Sequence, residues 1–97
     1  MTGVCELCEM DGMWLTDHHL VPRARHNRKV KRDLGEERHK TADTCRPCHK
    51  QLHLLFTEKE LEREYNTIEK LKAHPEVRKW IEWKRKRPNL GRDPKIQ

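Results

Sequence analysis

Ten residues, Thr44-Cys45-Arg46-Pro47-Cys48-His49-Lys50-Gln51-Leu52-His53, bring together two kinds of metal chemistry. Cys45 and Cys48 have the C-x-x-C spacing with which a tight turn offers two thiolates to one tetrahedral zinc. His49 and His53 stand four apart, so on a helix beginning at that turn both imidazoles point the same way. Upstream, Cys5 and Cys8 repeat the C-x-x-C, and Asp17-His18-His19-Leu20-Val21-Pro22 carries two adjacent histidines. Two matched cysteine pairs read as one structural zinc site of Cys5, Cys8, Cys45 and Cys48. Two disulfides, or a site of three cysteines completed by His49 or His53, are the alternatives, and the matched pairs weigh against both.

That assignment leaves the histidines for a separate, hydrolytic metal site. Phosphodiester hydrolysis needs a group to activate water, a cation to neutralise developing charge, and something to stabilise the leaving oxygen. One divalent cation covers the last two, and a neutral histidine near its ordinary pKa covers the first. Three of the four histidines can bind a cation while the fourth stays free as the base. Three protein ligands leave positions open for phosphate oxygen and water. A histidine set also suits Mn2+, Ni2+ or Zn2+ at least as well as Mg2+, which prefers oxygen ligands.

The elements that must position these groups are short. With 97 residues, one third hydrophobic and 39% charged, the chain is a single thin domain that needs a staple. Asp11-Gly12 is a turn, and Met13 onward reads as a strand that Pro22 stops, with His18 and His19 on opposite faces. The segment 23–40 lacks apolar periodicity and reads as a long basic loop closed by a short strand near 41–44. A helix is expected from about Pro47 to Phe56. Thr57-Glu58-Lys59-Glu60 is a capping box that starts another helix, and Asn66-Thr67-Ile68-Glu69 repeats the device, so a break falls near Asn66. His74-Pro75 ends that segment and opens a last helix to about Arg85, with His74 a capping residue. Residues 88–97 read as a loose tail.

The formal net charge of +6 is uneven. Eight Lys/Arg against three acids lie between Arg23 and Lys40, and six against one between Arg78 and Arg87. Two such runs around a hydrolytic site point to a polyanion partner, with phosphate contacts expected from Arg23, Arg25, Arg28, Lys29, Lys31, Arg32 and Lys50. Trp83, beside Lys84, falls off the apolar face of the last helix and is expected to pack on a neighbour. Neither a secretory signal pattern nor a run of roughly 18 apolar residues is present, so a reducing cytoplasm is expected.

Taken together, Cys5-x-x-Cys8, His18-His19-Leu20-Val21-Pro22 and Cys45-x-x-Cys48-His49-x-x-x-His53 resemble the HNH endonucleases, the ββα-metal or His-Me finger nucleases. The likeness spans about Cys5 to Phe56. It implies a small α+β fold: a treble-clef-like ββα-metal core over 1–56, stapled by zinc, then a helical extension over 57–87 packed on the core and the tail over 88–97. By the same resemblance His19 is the general base, and His18, His49 and His53 hold one catalytic divalent ion. The implied activity is a DNA endonuclease of bacterial or phage origin, leaving 5′-phosphate and 3′-hydroxyl ends, acting on double-stranded DNA with weak sequence preference or as a nickase. A zinc-stapled nucleic-acid-binding module without cleavage is the competing reading. The C-terminal helices offer a surface for a second copy or a larger complex. One departure stands out: the family's middle Asn falls in the region His39-Lys40-Thr41, and His39 is the residue expected to take its place in ordering the loop that carries the base.

Overall fold

The computed structural model describes residues 1–92. Three antiparallel strands, β1 (Thr2–Gly3), β2 (Met13–His19) and β3 (Thr41–Cys45), form a sheet in the order β1-β2-β3. Five helices accompany it: α1 (Arg28–Leu34), α2 (Arg46–Leu55), α3 (Glu58–Arg63), α4 (Ile68–Ala73) and α5 (Pro75–Arg85). The chain is therefore a small α+β protein.

Register on β2 decides what faces what. Its residues pair with β3 from Leu15↔Cys45 to His19↔Thr41. Met13 and Leu15 are buried on one face, whereas Thr16 and His18 share the other, because side chains two apart on a strand point the same way. The buried side thus changes halfway along the strand. Met13 and Leu15 join the cluster of Cys5, Leu7, Cys8, Cys45, Cys48 and Leu52, and that same cluster takes in Leu61, Leu71 and Val77 from the three last helices. Front and back halves share one core.

The helix boundaries follow from capping chemistry. Cys45, the last residue of β3, is also the N-cap of α2, and Pro47 occupies its first turn, where a missing amide proton costs nothing. Thr57 and Glu60 form the expected capping box. The break near Asn66 is present, but the cap is Thr67, whose hydroxyl accepts from the Lys70 amide; Asn66 instead donates to the Glu62 carbonyl. His74 caps α5 by accepting from the Glu76 amide through Nδ1.

Two expectations are corrected. The segment 23–40 is not a long loop: a 3-10 turn at Arg23–Arg25, α1, and a second 3-10 turn at Gly35–His39 occupy most of it. Asn27 starts α1 by accepting from the Val30 amide, and Val30 is the one buried residue of that helix. A helix burying a single side chain leaves no apolar period in the sequence to read. The tail is also not loose as far as it is described. The Trp14 amide donates to the Gly91 carbonyl at 2.9 Å, and Arg92 bridges to Met13. Residues 93–97 of the expected tail lie outside the described residues.

Gly91 allows that docking. Its φ is +83°, and a Cβ there would sit 2.7 Å from Cδ of Pro47 on α2. Gly91→Val is therefore expected to destabilise the protein by about 1–3 kcal/mol in a denaturant titration, the range for forced overpacking; an unchanged midpoint would show that the segment does not support α2.

Candidate metal centres

The first centre is sulfur. Cys5, Cys8, Cys45 and Cys48 are completely buried, and their Sγ atoms lie within 4.8 Å of one another. The turn at Cys5–Cys8 closes with the Glu9 amide donating to the Cys5 carbonyl at 2.8 Å, which carries Glu9 into positive φ. Donors converge on the sulfurs. The Cys8 and Cys45 amides donate to Sγ of Cys5 at 3.4 and 3.3 Å, and the Trp80 indole donates to Sγ of Cys48 at 3.3 Å. Hydrogen bonds from Cys45 and its neighbours pull the Cys5 thiol well below its ordinary pKa, and hydrogen bonding with Cys45 together with burial pushes Cys48 far up. Without a cation the four sulfurs cannot all shed their protons; with one they can. Four buried cysteines in this arrangement can hold a metal ion such as zinc.

The second centre is nitrogen. His18 from β2 and His49 and His53 from α2 place ligand atoms within 4.8 Å of one another. Their ring centroids form a near-equilateral triangle, 5.0 Å for His18–His49, 5.4 Å for His18–His53 and 5.0 Å for His49–His53. Nε2 of His49 and Nε2 of His53 are 3.2 Å apart, close to the ~3 Å that two imidazoles sharing one ion at ~2.1 Å require. His18 is 0% exposed, and neither ring nitrogen has a hydrogen-bond partner. A buried imidazole with both nitrogens unsatisfied is costly, and a shared cation could supply what is missing.

Burial, and then the neighbouring His49, holds the His18 pKa down at about 3. Burial also lowers His49, with His53 and His19 adding repulsion. Both rings are therefore neutral and ready to ligate at pH 7 without first losing a proton. His19, on the other face of β2, is half-buried with no hydrogen-bond partner among the described residues, yet near enough for its charge to depress both. It is the histidine left free.

The structure does not gather every expected site residue. His39 lies on the exposed 3-10 turn and makes only an edge contact with the ring of His26, with centroids 5.6 Å apart. The loop after His19 is held instead by His26, whose Nε2 bonds the Val21 carbonyl at 2.9 Å. The histidine that bonds this carbonyl is thus His26, five residues along the chain, and not His39. Arg25 is likewise committed elsewhere, paired with Glu62 of α3 at 3.3 Å. Arg23, Arg28, Lys29, Lys31, Arg32 and Lys50 are exposed, with Arg32 beside Asp33 at 3.3 Å. In the second basic run Lys84 is fully buried, its ammonium 3.6 Å from the sulfurs of Met10 and Met13. Trp83 packs between Trp80, stacked at 5.0 Å, and the Arg87 guanidinium 3.9 Å over its ring.

Comparison with known proteins gives one clear relationship. The uncharacterized protein YisB of Bacillus subtilis (strain 168) is 38% identical over 88 residues, covering 91% of this chain and 79% of that protein. The chain belongs to the YisB family. No family model matches it, and no solved structure matches it. The chemistry is therefore read from the two centres. Among the described residues no helix is long and apolar enough to cross a membrane.

Cys45→Ser removes one sulfur and should unfold the domain, because structural-metal binding contributes on the order of 10 kcal/mol to folding; circular dichroism with elemental zinc analysis reads both, and a folded variant would exclude an architectural metal. His18 ties stability to pH. Its folded pKa of about 3 lies below the ordinary 6.5, so the unfolded chain binds the extra proton between those values. Its stabilising contribution is present above pH 6.5 and is lost as pH falls toward 3. The stability of wild type relative to His18→Leu should drop across that window, and a pH-independent difference would show that His18 is not held neutral.

Proposed function

We propose that this protein is a metal-dependent DNA endonuclease of the HNH type. The observation that carries the reading is the triangle of His18, His49 and His53 beside an unpartnered His19 at the end of β2. The order of strand, strand and helix from β2 through β3 to α2, with cysteines at the β3–α2 junction, supports a ββα-metal core of treble-clef character.

Each residue has a part that chemistry assigns. His18, His49 and His53 would hold the divalent ion, and an all-imidazole ligand set favours Mn2+ or Ni2+ at least as much as Mg2+. Such an ion would supply positive charge to a bound phosphate and to the leaving 3′ oxygen. His19 accepts the proton of the attacking water, being the one histidine of the group with both ring nitrogens free of other duties. His26 holds the Val21 carbonyl and so keeps the loop after His19 in place. Exposed Arg23, Arg28, Lys29, Lys31 and Lys50 meet backbone phosphates, which favours double-stranded DNA bound with little base readout.

Supercoiled-plasmid cleavage tests this. Wild type should nick or linearise DNA with added Mn2+ or Ni2+ and lose activity in EDTA. His19→Ala should lower the rate at least ~100-fold, the lower end of what a general base contributes, with folding and DNA binding retained. Absence of cleavage in any metal, with a salt-sensitive DNA shift intact, would favour a binding module. In that shift assay Arg23→Glu with Lys29→Glu should weaken binding and flatten its dependence on salt.

A further inference from the structure

A metal-binding histidine is useful only if the correct ring nitrogen carries the lone pair, and that choice is made by whatever the other nitrogen touches. Nδ1 of His49 lies 2.9 Å from the hydroxyl oxygen of Thr16. The same oxygen lies 3.0 Å from the Thr44 carbonyl. A threonine hydroxyl has a single proton, and a carbonyl can only accept. If the hydroxyl donated to His49, two oxygen lone pairs would face each other across the Thr44 contact. If it donates to Thr44, its own lone pair is free to accept Nδ1–H, and both contacts are bonds. Only the second arrangement satisfies all three groups.

We propose that Thr16 sets the tautomer of His49, protonated on Nδ1, and thereby presents Nε2 as the ligand atom. The geometry on the other side of the ring agrees. Nε2 is the atom that meets Nε2 of His53 at 3.2 Å, and His53 belongs with His18 to the same cluster. Thr16 is placed to do this by the strand itself, being two residues before His18 on the same face of β2 and paired in register with Thr44. It is a positioning residue that acts through His49. The inference rests on the metal reading only for its functional consequence; the tautomer is a property of the folded protein before any cation occupies the histidines.

The test uses the full chain with 15N-labelled histidine. In wild type that keeps its cysteine-bound metal and receives no cation at the histidines, long-range 1H–15N spectra should show His49 with a protonated Nδ1 and a lone-pair Nε2. Thr16→Val keeps the shape and removes the acceptor; it should shift His49 toward the Nε2–H form and weaken Mn2+ or Co2+ binding by ~10–100-fold in calorimetry. Thr16→Ser, which keeps the hydroxyl, should restore both, whereas a merely space-filling role would leave Ser the worse replacement. An unchanged tautomer in a folded Thr16→Val protein, or an Nε2–H form in wild type, overturns the proposal. Wild type with the Nδ1–H tautomer that binds no cation at the histidines would refute the metal reading and leave the tautomer assignment standing.

Discussion

The junction of Cys5 with Cys45 is the constraint on which the rest of the molecule depends. Cys45 ends β3, caps α2 and donates its amide to the sulfur of Cys5, while the Glu6 amide donates to the Asp43 carbonyl at 2.8 Å. These contacts tie the amino-terminal knuckle to the origin of α2. The direction in which α2 leaves the sheet decides where His49 and His53 point. Sulfur chemistry on one face of β2 therefore places nitrogen chemistry on the other.

That division explains how so small a core supports two centres. Apolar side chains from α3, α4 and α5 converge on the cysteine cluster through Leu61, Leu71 and Val77, and Trp80 donates directly to Cys48. The histidine triangle is built from β2 and α2, which supply His18 and the pair His49 and His53. His53 is exposed at the same triangle in which His18 is wholly buried, so the centre is closed behind and open in front. A centre meant only to brace the fold would be closed on all sides; an open one admits a ligand.

Electrostatics separates the adjacent histidines more sharply than their sequence does. His18 is desolvated and crowded by two other imidazoles, which keeps it neutral. His19, one residue on, faces the other way and keeps both nitrogens free. The pleat of a strand turns one dipeptide into a buried imidazole on one face and a half-buried one on the other. Thr16 extends the same logic backward by one more repeat of the strand.

Much of this was legible in the residue order. The paired C-x-x-C spacings announced the cysteine cluster, the i,i+4 spacing put His49 and His53 on one face, and the Thr57–Glu60 box marked a helix start, because each depends on spacing within a few residues. The period-2 rule could also have singled out Thr16, had His18 been used as the reference. What the order of residues could not decide were contacts between distant segments. Whether His26 or His39 holds the Val21 carbonyl depends on how the 3-10 turns around α1 fold back, and α1 itself buries only Val30 and so leaves no periodic signal. Arg25 reads as one more surface cation until α3 brings Glu62 to it, and Lys84 reads as one more basic residue until the turn of α5 inserts it between Met10 and Met13. Local spacing is written into the chain because it is set by helix and strand geometry. Which side chains are withdrawn from solvent is decided only when elements far apart in sequence pack together.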